Sequence, residues 1–122
     1  MVMQMRLAKT PTGVPSSAIL IPFIKTSMFK ADYSLVLTTG RVDACRELWR
    51  LIEILRAVNL GVYPEAGYVL HQIHGKKAKN LMACHVEGDM VLIFAYKVDA
   101  NGVASDLVLI CFGTHAKVYP KV

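Results

Sequence analysis

Long apolar runs and paired cysteines are both scarce in this 122-residue chain, and each shortage removes a class of protein. The longest early apolar stretch, Ala18 to Ile24, is broken by Pro22 and falls well short of the ~18 residues a spanning helix needs. No small-residue cleavage site follows it, so a secretory leader is not indicated and no membrane role is expected. Three cysteines, Cys45, Cys84 and Cys111, are too few and too irregularly spaced for a disulfide framework, and their odd count suits a reducing compartment, the cytoplasm. Low-complexity tracts and internal repeats are absent.

What is present is apolar and mildly basic. Hydrophobic residues make up 54% of the chain and charged residues 19%, which excludes a disordered polymer and leaves room for a well-packed interior or an apolar partner surface. Fourteen Lys and Arg against nine Asp and Glu give a formal charge of +5, a bias toward phosphate-bearing or acidic partners. The length matches one domain. We read residues 1–17, with Pro11 and Pro15, as a flexible extension and residues 18–122 as a single domain.

Within that domain, Ala18 to Lys25 reads as a strand that Pro22 confines to an edge or a bulge. Thr26 or Ser27 is placed to cap a helix running to Thr38-Thr39-Gly40. Cys45, Leu48, Trp49, Ile52 and Leu55 then form one apolar stripe of a second helix that starts near Thr39 or Gly40 and ends at Asn59-Leu60-Gly61. The stripe, Trp49 included, is read as core. Beyond the Pro64-Glu65-Ala66-Gly67 turn the period changes to that of strands: Tyr68 to Leu70, Leu81 to Val86, Met90 to Val98 and Leu107 to Phe112. Glu87-Gly88-Asp89 and Asp99-Ala100-Asn101-Gly102 supply the positive φ that tight hairpins need. The expected architecture is α+β: an N-terminal strand, a two-helix hairpin, and an antiparallel sheet of three to four strands packed on the helices.

All four histidines, His71, His74, His85 and His115, lie in the second half, at strand ends or beside Gly-containing turns. Histidine changes protonation near neutrality, so such a group beside a cationic surface suits proton transfer in phosphodiester cleavage. Zinc ligation is the alternative chemistry, since His71-x-x-His74, Cys84-His85 and Cys111-x-x-x-His115 offer suitable donors. Adjacent strand residues such as Cys84 and His85 point to opposite faces, which argues against a shared ion. Neither a metal nor any other cofactor is expected.

Three segments, His71-Gln72-Ile73-His74-Gly75, Ala83-Cys84-His85-Val86-Glu87-Gly88-Asp89 and Gly113-Thr114-His115-Ala116, together with Ser27-Met28-Phe29-Lys30-Ala31-Asp32-Tyr33, resemble the YafQ-like branch of the RelE/ParE toxins over roughly residues 19–119. The resemblance implies a toxin of a bacterial toxin–antitoxin pair. It implies a metal-independent endoribonuclease that cuts mRNA in the ribosomal A site, inhibits translation, and is silenced by a cognate antitoxin in a toxin–antitoxin hetero-oligomer. On that resemblance His71, His85, Asp89 and His115 are the candidate catalytic residues and Tyr119 a base-stacking aromatic. His115 is the expected proton donor or acceptor nearest the scissile phosphate, with His85 and Asp89 as its acid/base partners. Lys76, Lys77, Lys79 and Lys117 are candidate RNA contacts; His74 is read as structural or solvent-facing. Two positions depart from the family: Cys111 stands where an arginine is usual and Met90 where a tryptophan is usual. A neutral cysteine supplies no charge to a phosphoryl group, so that charge must come from those lysines, or else the chain is a weak or silent relative acting through protein binding, on gyrase or an antitoxin for example.

Overall fold

The structure, a computed structural model, describes residues 20–73 and 80–122. The extension read at residues 1–17 and four of the residues singled out above, His74, Lys76, Lys77 and Lys79, lie outside them.

The strand at the N-terminus is short: β1 is Phe23–Lys25. Thr26 then caps α1 (Ser27–Thr38), its hydroxyl accepting from the Phe29 N–H at 3.1 Å. The same hydroxyl donates toward the carbonyls of Leu109 and Ile110, 2.9 Å from each. One side chain thus ends a strand, starts a helix and satisfies carbonyls of a neighbouring strand. Thr26→Val is expected to cost about 1–2 kcal/mol, read as a lower midpoint in urea unfolding, since a cap is lost and carbonyl partners go with it.

Helix α2 spans Val42–Leu55 and buries Cys45, Leu48, Ile52 and Leu55, the stripe read from the sequence, while Trp49 is half-buried against the same core. The Trp49 indole N–H donates to the Tyr33 hydroxyl at 2.9 Å, joining the two helices. The helix stops four residues before Asn59; a 3-10 turn, Val58–Leu60, and Gly61 in the left-handed region (φ 79°) follow. Tyr96 supports this end by donating its hydroxyl to the Leu55 carbonyl at 2.7 Å, one of the carbonyls a helix C-terminus leaves unpaired.

The remaining strands are β2 (His71–Ile73), β3 (Leu81–Glu87), β4 (Met90–Val98) and β5 (Ala104–Thr114), followed by a single helical turn, α3 (His115–Val118), and a 3-10 turn at Tyr119–Lys121. Gly88 and Gly102 take positive φ in the hairpin turns, as expected. The sheet has five strands in the order β1-β5-β4-β3-β2. It is mixed rather than purely antiparallel, because β1 lies parallel to β5 with Ile24 opposite Val108; the helical hairpin carries the chain from β1 at one edge to β2 at the other, and the antiparallel strands return it to β5 beside β1. The strand expected at Tyr68–Leu70 begins later. Ala66–Tyr68 forms a 3-10 turn and Val69 adopts φ 48°, since Tyr68 turns inward and donates its hydroxyl to Glu47.

Both faces of the sheet are covered. Cys84, Val86, Met90, Leu92, Phe94, Leu107, Leu109 and Phe112 pack under α1 and α2. On the opposite face Leu81, Ala83, Val91, Ile93 and Cys111 are covered by Val118, with Tyr119 and Val122 packed alongside. A bulge opposite Ile93 and Phe94 inserts Ile110 into β5, which puts Ile110 and Cys111 together on this second face. Where β1 ends at Lys25, opposite Leu109, the edge of β5 continues unpaired by a strand. Asp32 of α1 takes over there, accepting from the Phe112 N–H at 3.0 Å and the Lys121 ammonium at 2.6 Å. The C-terminal turn is thereby tied to α1.

Among the described residues Cys45, Cys84 and Cys111 are free thiols, all buried. Burial pushes the Cys84 thiol up to about 12 and that of Cys111 up to about 11, with Asp32 adding to the latter shift. The fold therefore favours the neutral thiols over the thiolates that an unfolded chain forms near pH 9.0. Their contribution to stability is complete below that pH and declines as pH rises through 9 toward about 11 for Cys111 and about 12 for Cys84. A urea-unfolding midpoint that falls across this window, together with thiols that resist a thiol-reactive dye until denaturant is added, is the expected result.

Candidate functional site

Strand register decides which candidate side chains meet. His71 on β2 lies opposite Ala83 on β3, and His85 is two residues further along β3, so both project from the face that carries Ala83. They are diagonal neighbours, and their rings stand 6.3 Å apart, centroid to centroid. The His71 ring is held by its Nδ1, 2.7 Å from the Val69 carbonyl, which fixes that nitrogen as the donor and leaves Nε2 for a ligand or a proton. Both histidines are half-buried. Cys84 sits in the helix-side cluster instead, so the Cys84-His85 pair does face two ways.

His85 is opposite Val91 on β4, and Val91 is opposite Gly113 on β5. Two strand spacings, about 10 Å, therefore separate His85 from Gly113. The chain turns at this point into α3, whose first residue is His115. His115 is exposed, and its ring lies 4.2 Å from that of Tyr119, the pair sharing one side of the turn at the i, i+4 spacing. Burial beside Cys111 pushes the Tyr119 phenol up, keeping it neutral. A Cβ at Gly113 would stand 3.5 Å from Val118 and 3.9 Å from Lys117, ordinary contact distances that leave room for a small side chain at this corner.

The candidate residues thus fall into two ring pairs on one face, His71 with His85 and His115 with Tyr119. Asp89 belongs to neither pair. Its backbone carbonyl accepts from the His115 N–H at 3.1 Å, which fixes the β3–β4 turn against the start of α3. Its carboxylate lies 3.5 Å from the Arg41 guanidinium. Arg41, at the N-cap position of α2, was not among the residues singled out from the sequence. Its role is visible only once the α1–α2 connection is folded onto the β3–β4 turn, a contact across 48 positions.

Arg41 and Lys117 also line a cleft of ≈170 Å³ between the end of α1 and the corner from β5 into α3. Leu35, Val36, Met90 and Phe112 form its apolar part; Thr39 and Thr114 add hydroxyls. Asp32 reaches the cleft as well, engaged by Lys121 and Phe112. Met90, the residue at the family's tryptophan position, is buried here and packs into the core, so it offers no exposed ring for stacking. Cys111 is wholly buried beneath Val118 and beside Tyr119. No group of three or more His, Cys, Asp or Glu among the described residues is arranged to hold a metal ion, and no helix among them is long and apolar enough to cross a membrane.

The sequence matches no protein-family model and no curated protein. Its fold does match solved structures. The Escherichia coli DinJ-YafQ toxin–antitoxin complex contains a chain 25% identical to this one, with a TM-score of 0.63 over 83% of this chain and 99% of that chain. A copper-bound mutant toxin from Helicobacter pylori gives 20% identity and a TM-score of 0.63 over 82% of this chain and all of that chain. A YoeB/ParE toxin from Agrobacterium tumefaciens gives 14% identity and a TM-score of 0.59, covering 78% of this chain and 99% of that chain.

Proposed function

We propose that this chain, which has the fold of the YafQ-like RelE/ParE toxins, is the toxin of a toxin–antitoxin pair and acts as a ribosome-dependent mRNA endoribonuclease in the cytoplasm. The observation that carries the proposal is the presentation of an exposed His115 and its Tyr119 partner on the same sheet face as the His71/His85 pair. These four side chains come from β2, β3, α3 and the turn that follows α3, and stand on one face, where Tyr119 also packs against the core beneath it.

The chemistry this arrangement supports is attack of a ribose 2′-hydroxyl on the adjacent phosphorus. The new O–P bond forms as the P–O5′ bond breaks, giving a cyclic phosphate and a 5′-hydroxyl with no redox change and no metal in the balance. One group must take the 2′-hydroxyl proton and another must give a proton to the leaving oxygen. We assign the group nearest the scissile phosphate to His115, whose ring is exposed and held by Tyr119. The second proton is assigned to His85, with His71 binding phosphate or sharing the transfer. Tyr119 presents a ring to a flanking base, a contact worth about 1–3 kcal/mol in single-strand binding. Lys117, exposed on α3, adds phosphate affinity without sequence preference.

The partner proposed is a cognate antitoxin, in a toxin–antitoxin hetero-oligomer. An acidic segment with apolar anchors fits the cationic edge formed by Arg41 and Lys117 beside the exposed Leu35, Leu37 and Val42. A reading as a silent relative that acts only through protein binding is favoured by one feature, the buried and uncharged Cys111 where the family has arginine. The two readings separate on programmed ribosomes. The ribonuclease cleaves a ribosome-bound mRNA and leaves a cyclic phosphate, and a single deoxynucleotide on the 5′ side of the cut stops it. A silent relative leaves both messages intact.

A further inference from the structure

Cleavage of a phosphodiester needs positive charge against the phosphoryl oxygens as well as a base and an acid. The position from which the resembled family supplies an arginine is here a neutral thiol with no exposed surface. We propose that Arg41, with Lys117 across the same cleft, forms the phosphate-binding site of this protein, and that Asp89 holds the Arg41 guanidinium in place until RNA arrives. The inference rests on the ribonuclease reading for the identity of the phosphate, but not for the site itself.

Three observations carry it. First, Arg41, Thr114 and Lys117 line one cleft, and Thr114 directly precedes His115, so the two cations flank the start of the turn that presents the candidate catalytic ring. Second, the carboxylate in the same cleft does not oppose them freely, because Asp32 already accepts from the Lys121 ammonium and the Phe112 N–H. Third, the tie between Arg41 and Asp89 is of the displaceable kind. At 3.5 Å, with 40% and 64% of the two side chains exposed, it is a single long contact in water. A bidentate bond from the same planar fork to a phosphate is shorter and stronger, so a phosphate outcompetes the carboxylate. The volume, ≈170 Å³, suits one phosphate and its sugar rather than a large ligand.

Asp89 is then a positioning residue. It is tied to the His115 backbone N–H through its own carbonyl and to Arg41 through its side chain, and so links the guanidinium to the start of α3.

The test uses the full chain, a labelled single-stranded RNA whose riboses are all 2′-O-methylated, and, separately, ribosomes programmed with an unmodified message. Anisotropy is followed over a range of KCl concentrations for wild type, Arg41→Ala, Arg41→Lys, Lys117→Ala, Asp89→Asn and Arg46→Ala. Arg46→Ala removes one charge from the same helix away from the cleft and controls for net charge. Arg41→Ala is expected to weaken binding about tenfold or more and to lower the salt slope by about 0.7, with Arg41→Lys recovering the slope but only part of the affinity. Lys117→Ala is expected to do the same to a smaller extent. Asp89→Asn is expected to tighten binding of the inert RNA yet slow cleavage, a split that a purely structural aspartate does not produce. If wild type cleaves and Arg41→Ala binds and cleaves like Arg46→Ala, the phosphate site is overturned and the ribonuclease reading survives. If the inert RNA binds through Arg41 but no message is cut, the site stands and the ribonuclease reading falls. If wild type binds no RNA, the phosphate site is overturned.

Discussion

His115→Ala is expected to lower mRNA cleavage on programmed ribosomes by about 10²–10⁴-fold, the usual contribution of a positioned general acid or base, while leaving the unfolding midpoint almost unchanged. The second half of that expectation follows from geometry. His115 is exposed, its side chain contacts the Tyr119 ring, and the fixed contact to Asp89 comes from its backbone N–H, which alanine keeps. Loss of activity therefore cannot be assigned to loss of fold. His115→Gln, which keeps a polar side chain of similar reach but cannot be protonated, is expected to be nearly as inactive. A His115→Ala protein as active as wild type places the reaction elsewhere.

Restoring the arginine that the resembled family carries is expected to damage this protein rather than improve it. Cys111 is enclosed by Ile93, Val118 and Tyr119 on a face completed by the C-terminal turn. A guanidinium at that position has either to lie among these apolar side chains with the nearby Asp32 already engaged by Lys121 and the Phe112 N–H, a class of change that costs about 3–5 kcal/mol, or to displace the turn and with it the ring pair of His115 and Tyr119. Cys111→Arg is thus expected to unfold at markedly lower urea and to cleave less, whereas Cys111→Ser, nearly the same size, is expected to keep activity with a smaller loss of stability. A stable and more active Cys111→Arg protein would show that room for the side chain exists beneath α3, and it would weaken the assignment of the phosphoryl charge to Arg41.

The parts of the fold legible in the sequence are those set by local periodicity and local turn chemistry. The α2 stripe from Cys45 to Leu55, the Thr26 cap, the Gly88 and Gly102 turns and the strands β3 and β4 all follow from side-chain spacing within a few residues. What the sequence concealed depends on distant partners. The parallel seating of β1 on β5 depends on residues some eighty positions away, and its three-residue length carries no pattern of its own. The shift of β2 from Tyr68–Leu70 to His71–Ile73 follows from Tyr68 reaching Glu47 on α2, and the extra residue Ile110 in β5 cannot be seen in an unbroken apolar run.

The candidate site divides along the same line. Its histidines were visible as residue types, and the pairing of His71 with His85 follows once the β2–β3 register is known. The environment of Asp89 was not visible. Its backbone carbonyl accepts from the His115 N–H, while its carboxylate faces Arg41, a residue that no local motif marks. Likewise Cys111 is identifiable in the sequence as an absent charge, but only the cover provided by Val118 and Tyr119 shows that the position is closed.

The most direct test of the central claim is primer extension on a reporter message in bacterial cells induced to express either the wild-type chain or His115→Ala at matched levels. Growth arrest and cuts in phase with the codons are expected for the wild type alone. Growth arrest by both chains with no cuts in the message would contradict the claim, and would assign the toxicity to protein binding instead of RNA cleavage.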